Sequence, residues 1–100
     1  MTVTVAWTTD AASDLSGVLE YIADKSPAGA ASVAAAITTT VTSISEFPHA
    51  GRVDADTGCR ERLVGRYPLL LIYTVSTDLV EIIALFHTSR DPATKPGAKS

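Results

Sequence analysis

From Arg60 to Asp91 the chain reads RERLVGRYPLLLIYTVSTDLVEIIALFHTSRD, and inside it two apolar runs, Tyr67 to Val75 and Leu79 to His87, are separated only by Ser76-Thr77-Asp78. Runs rich in Leu, Ile, Val and aromatics suit a pleated surface, and so short a polar link makes them an antiparallel pair. At strand spacing Val80, Ile82, Ala84 and Phe86 point one way, while Glu81, Ile83, Leu85 and His87 point the other. The first run likewise sets Leu69, Leu71, Tyr73 and Val75 against Leu70, Ile72 and Thr74. Neither face is polar, so a sheet built on this hairpin needs cover on both sides. One cover comes from the rest of the chain, and the second is expected from another polypeptide.

The residues ahead of the hairpin supply the first cover. Val3, Val5 and Trp7 alternate with Thr2, Thr4 and Ala6, the period-2 signature of a short strand, which is placed on an edge of the sheet. Thr8 to Asp10 then reads as a helix start, with Asp10 and Asp14 suited to the positive end of the helix dipole. Leu15, Val18, Leu19 and Ile22 follow on one helical stripe, interrupted by Gly17, which leaves room for another backbone to approach. Ser26-Pro27 closes this helix and opens the next as N-cap and first helical residue, so the two form an antiparallel hairpin. In the second helix Ala30, Val33, Ala34, Ile37, Val41 and Ile44 keep helical spacing through Thr38 to Ser43, although those residues are mediocre helix formers. Phe47-Pro48 ends it. His49 to Gly58 is a polar loop, Cys59 to Val64 a short strand, and Gly65-Arg66 a turn into the apolar hairpin. Residues 1–91 therefore form one α+β domain: an N-terminal strand, a two-helix hairpin on one face of the sheet, then a three-stranded antiparallel meander. Residues 92–100 lack periodicity and read as a frayed tail.

Charge and cysteine content exclude several classes. The formal charge of −3 argues against nucleic-acid binding by bulk charge. Its distribution is uneven, because residues 1–50 hold one lysine against five carboxylates, whereas all five arginines lie in residues 51–100. A single cysteine, Cys59, fits no metal-ligand spacing and no internal disulfide, which suits a cytoplasmic protein with an idle thiol. No apolar run approaches the roughly 20 residues of a membrane span. Gly-rich phosphate loops, zinc spacings and Ser/His/Asp order are missing, so no cofactor and no metal is expected.

In this order, several short pieces carry a resemblance: Asp14-Leu15 and Tyr21-Ile22-Ala23 in the first helix, Ser26-Pro27 between helices, Phe47-Pro48 and Gly51-Arg52 in the loop, Arg60-Glu61, Tyr67-Pro68 and Ile72-Tyr73 on strands, and His87 with Arg90-Asp91 at the end. Together they make the chain resemble the ParE/RelE superfamily of bacterial type II toxins, closest to its ParE branch, from about Val5 to Asp91. The resemblance implies a growth-inhibiting toxin silenced by a cognate antitoxin in a hetero-oligomer. Its ParE branch implies a non-enzymatic poison of DNA gyrase, and its RelE branch a ribosome-dependent mRNA endoribonuclease. A third possibility is an inert interaction module that has kept the fold.

Arg60, Arg62, Arg66 and Arg90, with Arg52, are expected to gather at one end of the sheet, where forked hydrogen bonds would hold phosphates or acidic protein surfaces. The same residues would equally serve as ordinary partners of Glu61, Asp54, Asp56 and Asp91. Together with His87, the first four are the expected target contacts. Under the endoribonuclease alternative Glu61 would be the base, His87 the acid, and Arg60 and Arg90 the phosphate ligands. Against those roles, His87 reads equally as a hydrogen-bonded structural residue, Glu61 as an arginine partner and Tyr73 as core.

Overall fold

The computed structural model describes residues 3–88. Its elements, in chain order, are β1 (Thr4–Trp7), α1 (Thr9–Lys25), α2 (Pro27–Glu46), β2 (Arg52–Val53), β3 (Arg60–Leu63), β4 (Leu69–Val75) and β5 (Leu79–His87). Arg90 and the expected frayed tail lie outside the described residues.

The two helices start and stop where side chains take over the main-chain bonds that a helix end leaves open. Thr8 Oγ1 accepts the Ala11 N–H at 3.1 Å and starts α1. Ser26 serves both helices: its N–H closes α1 on the Ile22 carbonyl at 2.8 Å, and its Oγ accepts the Gly29 N–H at 3.0 Å to open α2. Pro27 follows at the first helical position, where its missing N–H costs nothing.

The hydroxyl-rich stretch of α2 stays helical because its side chains bond back to their own helix. Thr38, Thr40 and Thr42 donate to the carbonyls of Ala34, Ala36 and Thr38 at 3.1, 2.8 and 3.0 Å. Thr40 is thereby buried without an orphaned hydroxyl, next to Val33, Ile37 and Ile44 on the face that meets the sheet. By length and composition alone α2 is apolar enough to cross a membrane, contrary to the expectation that no run would be. Here that apolar stripe packs on the sheet.

Five strands, one more than expected, form a mixed sheet in the order β1-β5-β4-β3-β2. β3, β4 and β5 are the antiparallel meander, and β1 takes the outer edge of β5 in parallel. The additional strand, β2, lies in the stretch read as a loop: Arg52 and Val53 pair with Glu61 and Arg60. Two residues are too few to show a period.

Strict alternation along β5 fails. Tyr73 sits opposite Ile82, yet the preceding residue, Ile72, sits opposite Ala84, so Ile83 is an extra residue in a bulge. The bulge turns everything after it over. Leu85 and His87 join Val80 and Ile82 on the helix side, opposite Leu71 and Leu69, and Ala84 and Phe86 move to the far side. The core then comprises Leu69, Leu71, Tyr73, Val80, Ile82 and Leu85 from β4 and β5, covered by Ala11, Val33, Ile37 and Ile44 from the helices. Burying one such side chain contributes about 1.5–3 kcal/mol.

The far side is less bare than the sequence suggested. Ile72 and Ala84, paired across β4 and β5, are each only 2% exposed, and Leu70 and Phe86 are half-buried. Leu63 remains open to solvent.

Candidate functional site

The arginines of β3 follow its alternation. Arg60 and Arg62, opposite Tyr73 and Leu71, face the helices, whereas Glu61, opposite Ile72, faces away. Inside the fold both guanidiniums are bonded to neutral oxygens. Arg60 Nη1 donates to the carbonyls of His49 and Gly51 at 3.0 and 3.1 Å, holding the loop that follows α2. Arg62 Nη2 donates to Ser43 Oγ at 2.8 Å, in the last turn of a helix that has no basic residue there, so it supplies the cation that end of the dipole favours.

Tyr73 is the centre of this cluster. Its hydroxyl donates to the Pro48 carbonyl at 3.3 Å, and Gly51 lies so close that a Cβ there would collide with the phenol oxygen. Burial pushes the phenol pKa above its ordinary value, and the charges of Arg62 and Arg60, with hydrogen bonds from Arg62 and Gly51, pull it back without cancelling that rise. The cluster fastens the loop after α2 to the middle of the sheet.

At the other end of the sheet lies an apolar groove of about 350 Å³, walled by Gly17, Val18 and Tyr21 of α1 and by Tyr67, Leu69 and His87. Arg66 is exposed in the neighbouring turn, where Gly65 takes a positive φ of 55° that favours glycine. Lys25, near the end of α1, sits 4.9 Å from the centre of the Tyr21 ring.

The expected gathering of arginines at one end of the sheet is therefore corrected. Arg60 lies opposite Tyr73 and His87 opposite Leu69, four residues apart along β4 and two strands apart across it. That is roughly 13 Å one way and about 10 Å the other. Arg66 and His87 share the groove end, Arg60 and Arg62 are occupied inside, and Arg52 is exposed on β2. Glu61 is buried on the far face. Arg90 lies outside the described residues. His49 is exposed and contributes its carbonyl, and Cys59 is a half-buried free thiol. The groove itself was not foreseen. Its only sequence signal was Gly17 followed by Tyr21 four residues later, on one face of α1.

The fold matches a chain of a solved chromosomal ParDE toxin-antitoxin system from P. aeruginosa with a TM-score of 0.76 at 22% identity, over 88% of this chain and 98% of that one. That likeness shows the α+β fold. The sequence profile of the ParE toxin of the type II toxin-antitoxin system parDE matches residues 5–92, and the chain belongs to that family. Toxin RelE2 of Caulobacter vibrioides is 34% identical over 86 residues, covering 86% of this chain and 96% of that protein. Putative toxin Y4kP of Sinorhizobium fredii is 34% identical over 83 residues, 83% of this chain and 85% of its own length.

Proposed function

We propose that this protein is a cytoplasmic toxin that arrests growth by poisoning DNA gyrase, and that a cognate antitoxin neutralises it by direct binding. Family membership over residues 5–92 supports the toxin reading. The observation that favours a binding mechanism over RNA cleavage is the dispersal of Glu61, Arg60 and His87. A general base, a general acid and a phosphate ligand must lie within hydrogen-bond reach of one reacting phosphate. Glu61 and Arg60 are on opposite faces of β3, and His87 is two strands away at the groove end. Poisoning needs only a complementary surface.

Purified protein added to gyrase and supercoiled plasmid is expected to accumulate double-strand breaks trapped on the enzyme. Cleavage of messenger RNA on translating ribosomes, with gyrase unaffected, overturns this reading in favour of the endoribonuclease. Expression without growth arrest leaves only the inert module.

A further inference from the structure

Pairing across β3, β4 and β5 arranges the far side of the sheet in rows. Glu61, Ile72 and Ala84 form one row; Leu63, Leu70 and Phe86 form the next toward the end of β5, and Thr74 with Glu81 the next the other way. Exposure differs sharply between them. Ile72 and Ala84 are each 2% exposed and Glu61 9%, whereas Leu63, Thr74 and Glu81 are open and Leu70 and Phe86 half-buried. Side chains stand roughly perpendicular to a sheet, so neighbours in the same sheet shield their flanks but not their tips. Burial this complete requires a layer above, and both described helices pack on the opposite side. A buried strip one row wide and three strands across is the footprint of an extended segment crossing the strands. A second sheet packed face to face would cover the adjacent rows as well.

Two stretches of this chain lie outside residues 3–88. Residues 1–2 precede Val3, whose N–H bonds the Ser45 carbonyl of α2 at 3.0 Å and whose side chain packs on the core, so they enter from the helix side. Residues 89–100 leave from the end of β5, where the Thr88 N–H bonds the Pro68 carbonyl at 2.9 Å. From Thr88 back to the level of Ala84 is roughly 13 Å, and from β5 across to β3 is about 10 Å. About five extended residues span that diagonal. The sequence that follows Thr88, Ser89-Arg90-Asp91-Pro92-Ala93-Thr94-Lys95-Pro96, carries two prolines, which favour extended backbone and need no ladder bond. It also brings Arg90 and Lys95 against one carboxylate, Asp91. Glu61 Oε2 is shut off from solvent, and a buried carboxylate calls for positive charge close by. Arg52, opposite Glu61 on the same face, is itself exposed.

We propose that residues 89–100 fold back as an extended strap across the row of Glu61, Ile72 and Ala84, closing the far side of the sheet within one chain. Arg90 and Lys95 bring positive charge toward Glu61. The second cover that the apolar hairpin demands is then intramolecular, whatever the protein's target.

The test uses the full chain, isotope-labelled for nuclear magnetic resonance. In the monomer, the methyl groups of Ile72 and Ala84 are expected to give Overhauser cross-peaks to protons of residues 89–100. A soluble paramagnetic agent should broaden these methyls no more than those of Leu71, buried on the helix side. In a chain ending at Thr88, broadening of Ile72 and Ala84 should rise several-fold while Leu71 stays protected, the sign that the fold survives. Should that chain fail to fold, the cross-peaks of the full chain decide alone. Full-chain methyls that broaden freely and give no cross-peak to residues 89–100 overturn the strap, as does a folded chain ending at Thr88 in which Ile72 and Ala84 stay protected. Cross-peaks that arise only between differently labelled copies, in a sample that sediments as a dimer, overturn it in favour of a second copy.

Discussion

Gly51 and Tyr73 provide the sharpest test of how the loop after α2 is fastened to the sheet. A Cβ at position 51 would collide with the Tyr73 hydroxyl and come within 3.0 Å of Cζ and 3.1 Å of the Glu61 carbonyl. Tyr73 is fully buried in the middle of β4 and cannot rotate aside. Gly51→Ala therefore forces an overpacked site, costing about 1–3 kcal/mol, and breaks the hydroxyl bond to Pro48, worth about 1 kcal/mol. The sum, about 2–4 kcal/mol, corresponds to a fall in melting temperature of roughly 10–25 °C for a domain of this size.

The hydroxyl is the atom in the way, so removing it should relieve much of the strain. Tyr73→Phe alone is expected to cost about 1 kcal/mol for the lost bond. In the Tyr73→Phe background, Gly51→Ala should then cost at least about 1 kcal/mol less than in wild type, a coupling well above the error of a double-mutant cycle. Urea denaturation of the four proteins at equilibrium measures it. Additive costs, or a Gly51→Ala penalty below about 0.5 kcal/mol, would show that the close approach is not what fixes the loop.

Three further outcomes follow from the same geometry. Because the folded Tyr73 pKa lies above its ordinary value of 10.0, its contribution to stability is complete below pH 10 and is lost as pH rises through the folded value; the alkaline limb of a stability profile should be shallower in Tyr73→Phe. Arg62→Ala, which unpairs Ser43 and removes the cation at the end of α2, is expected to cost about 1–2 kcal/mol in the same urea assay, whereas Arg66→Ala should be silent within about 0.5 kcal/mol. Ser26→Ala removes the side-chain cap of α2 and should lower stability by about 1 kcal/mol, while Ser26→Asp should largely retain it.

Much of the fold was legible because local chemistry and long-range packing agree in it. The Ser26-Pro27 junction, the stripes of α1 and α2 and the Ser76-Thr77-Asp78 turn are each decided by a few neighbouring residues, and the three-dimensional structure asks nothing different of them. Where the reading failed, the deciding contact was distant. The bulge at Ile83 carries no glycine or proline to mark it, and alternation read through it assigns Leu85 and His87 to the wrong face. Short β2 is fixed by β3 rather than by its own residues.

The arginines show why a site is harder to read than a fold. On sequence alone Arg60, Arg62 and Arg66 are three cations within seven residues, and charge suggests a shared surface. Strand direction separates them: Arg60 and Arg62 turn inward toward carbonyls and a hydroxyl that only the folded α2 and its following loop present, and Arg66 is carried to the opposite end of the sheet. A guanidinium already bonded inside the protein must give up those bonds before it can contact anything else, and Arg60 and Arg62 are bonded in this way. Exposed Tyr21, Lys25 and Arg66 are instead grouped on one side, at the His87 end of the groove. α1, which the sequence pattern assigns to covering the core, therefore also presents exposed aromatic and basic side chains at this end of the molecule.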